Sequence, residues 1–152
     1  MKKIASFTVN HDTLDKGMYI SRIDGDVVTY DLRMKKPNAG DYLTPSAAHT
    51  VEHLFATYAR NGEHSEKILY VGPMGCRTGF YLLVRDTLSH AQAIELVRQS
   101  MVFVREFTGE IPGNTRVECG NYLDHDLDGA KKVAADMCKV LENWSETDLQ
   151  YK

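Results

Sequence analysis

The chain has 152 residues, a size that suits one domain and buries about two thirds of its unfolded surface. Hydrophobic residues make up 43% and charged residues 26%, an ordinary globular composition with no apolar run long enough to span a membrane. The net charge of −3 comes with scattered Lys and Arg, which excludes a basic nucleic-acid footprint.

Met1-Lys2-Lys3-Ile4 is followed within a few residues by polar and charged side chains. No signal-peptide core forms there, and a cytoplasmic location is expected. The first strong local pattern is Met18 to Arg33, two β-rich runs around Asp24-Gly25. That dipeptide predicts a tight hairpin, because Gly accepts the positive φ such turns need. Residues 35–45 hold two prolines and a glycine and read as a loop. A helix is expected from Pro45-Ser46 to Arg60, with Ser46 as N-cap and Asn61-Gly62 as the stop.

Lys67 to Val71 and Phe80 to Val84 read as strands, separated by a segment punctuated by Gly72, Gly75 and Gly79. A second helix fits Ser89 to Phe107, with Ile94, Val97, Met101 and Val104 at helical spacing. A last helix fits Asp128 to Trp144. This order predicts a single α+β domain over 1–152, an antiparallel sheet with helices on one face.

The chemistry concentrates in His49-Thr50-Val51-Glu52-His53. Residues four apart share a helix face, so His49 and His53 are placed to hold one ion. Glu52 projects toward the same rim, where a carboxylate moves protons. This H-x-x-E-H order also occurs in inverted zinc peptidases. A catalytic metal usually takes three protein ligands and leaves one position open. Cys119, beside Gly120, and Cys76, between Gly75 and Arg77, are both candidates for the third ligand. A neighbouring cation suits Cys76 to a thiolate role. Cys138 falls on an apolar helical stripe and reads as core. An odd number of cysteines argues against a disulfide framework. His64, His90 and His125 carry no supporting context and read as surface or capping residues.

Three segments in this order resemble the S-ribosylhomocysteinase (LuxS) family: His49-Thr-Val-Glu-His53-Leu-Phe-Ala, Gly72-Pro-Met-Gly-Cys76-Arg-Thr-Gly-Phe-Tyr-Leu, and Glu118-Cys119-Gly-Asn with Leu127-Asp-Gly-Ala-Lys131. The resemblance covers nearly the whole chain. It implies cleavage of the thioether of S-ribosylhomocysteine to homocysteine and 4,5-dihydroxy-2,3-pentanedione, the autoinducer-2 precursor. It implies a homodimer with active sites near the interface. It also implies one divalent metal per subunit, iron(II), with zinc or cobalt as substitutes. By resemblance His49, His53 and Cys119 are the ligands, and Glu52 and Cys76 the acid/base pair. Ser6, His11, Arg33 and Arg60 match substrate-site positions, some reaching in from the partner subunit.

One departure stands out. The family commonly has Asp-x-Ser-Pro-Met-Gly-Cys before the reactive cysteine. Here the Asp position is Tyr70 and the Ser position is Gly72. A carboxylate at the first position would suit the α-amino group of the substrate.

Overall fold

The computed structural model describes residues 1–152. Strand β1 (Gly17–Asp24) and strand β2 (Val27–Arg33) form the expected hairpin, paired antiparallel from Gly17↔Arg33 to Asp24↔Val27. Gly25 opens the two-residue turn with φ +59, a conformation that costs a glycine nothing. Strand β3 (Ile68–Pro73) and strand β4 (Gly79–Arg85) follow, and the sheet order is β1-β2-β4-β3 with every pairing antiparallel.

Helix α1 (Pro45–Arg60) links the two hairpins. Its N-cap is Thr44 rather than Ser46, and the Thr44 hydroxyl accepts from the Ala47 N–H at 3.3 Å. Pro45 occupies the first helical position, where a missing N–H costs nothing, so the cap falls one residue before it. Helix α2 (His90–Glu106) starts at Ser89 with a reciprocal Ser89–Gln92 capping box. Helix α3 (Leu127–Val140) is capped by Asp126 and stops short of the expected Trp144. The Arg98 guanidinium takes the Leu141 carbonyl at 2.7 Å and the Trp144 carbonyl at 2.5 Å, which satisfies the chain beyond the helix end. Trp144 turns back instead and donates its indole N–H to the Met18 carbonyl at 2.9 Å. No helix is long and apolar enough to cross a membrane.

The core lies between the sheet and the helices. Val28, Tyr30 and Leu32 of β2 and Phe80, Leu82 and Val84 of β4 alternate inward. They form one buried cluster with Val51, Leu54 and Phe55 of α1, Val97 and Met101 of α2, and Ala134 and Met137 of α3. Each large side chain so buried contributes about 1.5–3 kcal/mol. The helices therefore sit on one face, as the pattern predicts.

The opposite face is not simply solvated. Asp31 is 1% and Arg33 3% exposed. Arg33 meets Asp31 through two N–H···O bonds, Nη2–Oδ2 at 2.6 Å and Nε–Oδ1 at 3.1 Å. The Tyr151 hydroxyl also donates to Asp31 Oδ2 at 2.6 Å, so the end of the chain folds over the pair. Burial works against the Arg33 charge, but the Asp31 carboxylate outweighs it and raises the guanidinium above its ordinary range. Burial, followed by the Asp31 charge, raises the Tyr151 phenol as well and keeps its donated proton in place.

Removing one partner of such a pair strands the other charge in a dry setting. Asp31→Ala is expected to lower unfolding free energy by about 3–5 kcal/mol, measured as a fall in the urea midpoint at unchanged slope.

Candidate metal centre

Helix α1 places His49 and His53 one turn apart on the same face, with their ring centroids 4.6 Å apart. Each ring is tied down through Nδ1. His49 Nδ1 lies 2.7 Å from the Asp124 carbonyl, and His53 Nδ1 lies 2.8 Å from the Pro112 carbonyl. A carbonyl only accepts, so both Nδ1 atoms carry the proton and both Nε2 atoms present a free lone pair. That is the tautomer a metal requires.

The segment between those two carbonyls carries Cys119. Its Sγ is 3.4 Å from His49 Nε2 and 3.9 Å from His53 Nε2. An ion at ~2.0–2.1 Å from nitrogen and ~2.3 Å from sulfur, in tetrahedral geometry, sets each N···S distance at about 3.5 Å. The donor set and its spacing thus fit one divalent cation. No carboxylate joins the cluster.

A fourth residue does join it. The ligand atoms of His49, His53, Cys119 and His125 all lie within 4.8 Å of one another. From the sequence alone His125 reads as a surface or capping residue. Its ring instead stacks on His49, with centroids 4.0 Å apart and planes at 18°. Burial, reinforced by His49 and His53, lowers its pKa. Its position six residues after Cys119 is the one available signal.

Glu52 lines a cavity of about 400 Å³ together with His49, Met74, Gly75, Asn121 and Asp124. Cys76 follows Gly75 in the turn between β3 and β4, and its thiol is exposed. The turn is held in an unusual backbone shape. Arg77 has φ +63, and its carbonyl accepts from the Leu43 N–H at 2.8 Å. The Arg77 guanidinium lies over the Tyr42 ring at 5.6 Å. Arg33 is the cation turned toward Cys76: its Nη1 is 3.9 Å from Sγ and 2.7 Å from Thr78 Oγ1, which itself lies 3.1 Å from Sγ.

The remaining expected site residues lie elsewhere in the single chain. Ser6 lines a groove with Ser21, Thr29, Tyr81 and Leu83 on the helix-free face. Thr29 is four residues along β2 from Arg33, roughly 13 Å at strand rise. His11 Nδ1 bonds the Val9 carbonyl at 2.9 Å, and Arg60 Nη2 donates to the Leu69 carbonyl at 2.6 Å. Neither residue lines the Glu52 cavity. Tyr70 and Gly72 are coupled: a β-carbon built on Gly72 would collide with the Tyr70 ring. The two departures from the expected motif are thus neighbours in space.

Similarity to known proteins points the same way. The profile of the family described as S-Ribosylhomocysteinase (LuxS) matches residues 4–148. A protein of Clostridium acetobutylicum named S-ribosylhomocysteine lyase is 47% identical, with 99% of each chain covered. Proteins of the same name from Phocaeicola vulgatus, 47% identical with 99% and 98% covered, and from Borrelia garinii, 44% identical with 99% of each covered, are similar over the same extent. With a His/His/Cys cluster at metal-binding distance and a match over almost its full length, the chain belongs to the S-ribosylhomocysteinase (LuxS) family.

Proposed function

We propose that this chain is a carbon–sulfur lyase that cleaves the thioether of S-ribosylhomocysteine to homocysteine and 4,5-dihydroxy-2,3-pentanedione. The carrying observation is the His49/His53/Cys119 cluster beside a cavity walled by Glu52, in a chain of this family. The whole of 1–152 acts as one catalytic domain. Its ligands are His49, His53 and Cys119, and its native ion is iron(II); zinc and cobalt(II) suit the same donors. The product is the autoinducer-2 precursor, and the reaction takes place in the cytoplasm without nucleic acid or membrane.

A thioether carbon does not release sulfur unaided. The bond breaks once a carbonyl stands at C3, making the C4 hydrogen acidic and the C5–S bond β to it. The ion, when bound, supplies Lewis acidity to the sugar oxygens. The protein groups move the protons. Cys76 and Glu52 take the proton from C2 of the open aldose and return one to C1, shifting the carbonyl to C2. The same exchange between C3 and C2 moves it to C3. Glu52 then removes the C4 proton as the C5–S electron pair leaves on sulfur. The resulting enol takes a proton at C5, giving a methyl diketone, and the homocysteine thiolate takes another. No redox change is required.

Geometry supports the division of labour. Glu52 stands at the cavity wall beside a ligand histidine. Cys76 is exposed, with the Arg33 guanidinium 3.9 Å from its sulfur. Arg33 is itself fixed by Asp31 and Thr78. Arg60 serves the homocysteine end. Ser6 and His11 serve the site from the partner of a homodimer, since within one chain they stand away from the Glu52 cavity. Exposed Ile4 and Phe7 flank Ser6 and offer apolar surface for that contact.

Cys76→Ala is expected to keep one metal per chain and lose homocysteine release by about 10²–10⁴-fold, the usual worth of an acid/base group. Near-normal thiol release with Ellman's reagent would remove Cys76 from the mechanism. Glu52→Gln is expected to bind metal and substrate but stop before C–S cleavage, and full thiol release in that variant would remove Glu52 as the base. Dialysis against a chelator is expected to abolish thiol release, and iron(II), cobalt(II) or zinc to restore it. Full activity in metal-free protein would overturn the metal assignment.

A further inference from the structure

None of the proton transfers above uses His125, yet its ring is held on two sides, by Thr50 and by the stacked His49 ring. Its Nδ1 lies 2.9 Å from Thr50 Oγ1. The Thr50 hydroxyl also lies 3.1 Å from the Ser46 carbonyl, and its oxygen accepts the Asp126 N–H at 3.0 Å. His125 Nε2 is the one buried side-chain polar atom in the chain with no hydrogen-bond partner. A buried polar atom left open in this way calls for a partner the protein itself does not supply.

Direct ligation does not fit. An imidazole binds a metal in the plane of its ring. The His125 and His49 planes are stacked at 4.0 Å and tilted by only 18°, so they do not meet near the donor atoms. An ion in the plane of His49 stands off the plane of His125. The distance instead suits one intervening atom. An oxygen ~2.1 Å from the ion and ~2.8 Å from a nitrogen places that nitrogen about 4 Å from the ion. His125 falls within the same 4.8 Å envelope as the three ligands.

We propose that His125 is a positioning residue for the open coordination position. Its Nε2 would hydrogen-bond the oxygen held there, water before substrate arrives and a sugar oxygen during turnover. Thr50 and the cap of α3 hold the ring in the orientation this requires, because Asp126 both bonds Thr50 and caps α3. The assignment rests on the metal-centre reading above.

The test uses full-length protein loaded with cobalt(II), with His125→Asn and His125→Phe. Asn keeps a polar atom near the Nδ1 position for Thr50 and removes Nε2. Phe keeps the stacked ring and removes both nitrogens. Both variants are expected to hold one cobalt per chain with the thiolate-to-cobalt charge-transfer band intact, because the ligands are unchanged. Their ligand-field bands are expected to shift, and kcat to fall about 10–100-fold, the usual effect of an outer-shell partner. Ligand-field bands and kcat like those of the unaltered protein in both variants would reduce His125 to packing. Loss of one coordinated imidazole in His125→Asn, counted by X-ray absorption, would make it a ligand and overturn the positioning role. If the unaltered protein binds no cobalt and shows no charge-transfer band, the metal reading fails first and His125 with it.

Discussion

An imidazole can offer one nitrogen to a metal only while the other carries the proton, and this requirement organises the molecule around its centre. The two histidines of α1 meet it by spending their Nδ1 protons on the carbonyls of Pro112 and Asp124. Those carbonyls bracket the segment that carries Cys119. The hydrogen bonds that fix the tautomers therefore also fix the loop, and the loop delivers the sulfur. Holding all of this costs conformational entropy, which the buried face of α1 offsets through Val51, Leu54 and Phe55. Two faces of one helix do two jobs at once.

The second organising element is the Asp31–Arg33 pair. It sits on the face of the sheet without helices, where a strand pattern alone suggests solvated charge. Burial there makes the pair expensive unless every atom is matched. Tyr151 and Thr78 supply the extra partners. The consequence reaches Cys76, because the guanidinium that Asp31 anchors is the one that faces the thiol. A chain terminus, a strand and a turn thus act together on one sulfur atom. Arg77, although adjacent in sequence, is turned to Tyr42.

Much of the fold was legible because local rules decided it. Gly25 announces its turn through φ, and Ser89 announces the start of α2 as a residue type that caps helices. The alternation of β2 and β4 predicts which side chains point inward. The misplacements have local physical causes as well. Proline at the first position of α1 moved the cap to Thr44. The chain beyond the end of α3 is held by Arg98, which lies on another helix and takes the carbonyls of Leu141 and Trp144. A periodic apolar pattern carries no trace of that long-range bond.

The centre divides along the same line. Residue type and spacing along one helix turn determined His49, Glu52 and His53, because a helix brings residues four apart together without help from the rest of the chain. The motif order across the three segments carried the family. What distinguished Arg33 from Arg77 beside Cys76 was the direction of side chains 43 residues and one residue away in sequence, which only packing sets. His125 was invisible for the same reason: its stacking on His49 and its bond to Thr50 join positions 75 or more apart. The sequence by itself determined which donors exist and which of them share a helix. The tertiary structure decided which loops bring the others within reach, since hydrogen bonds between distant segments, not periodicity, set those distances.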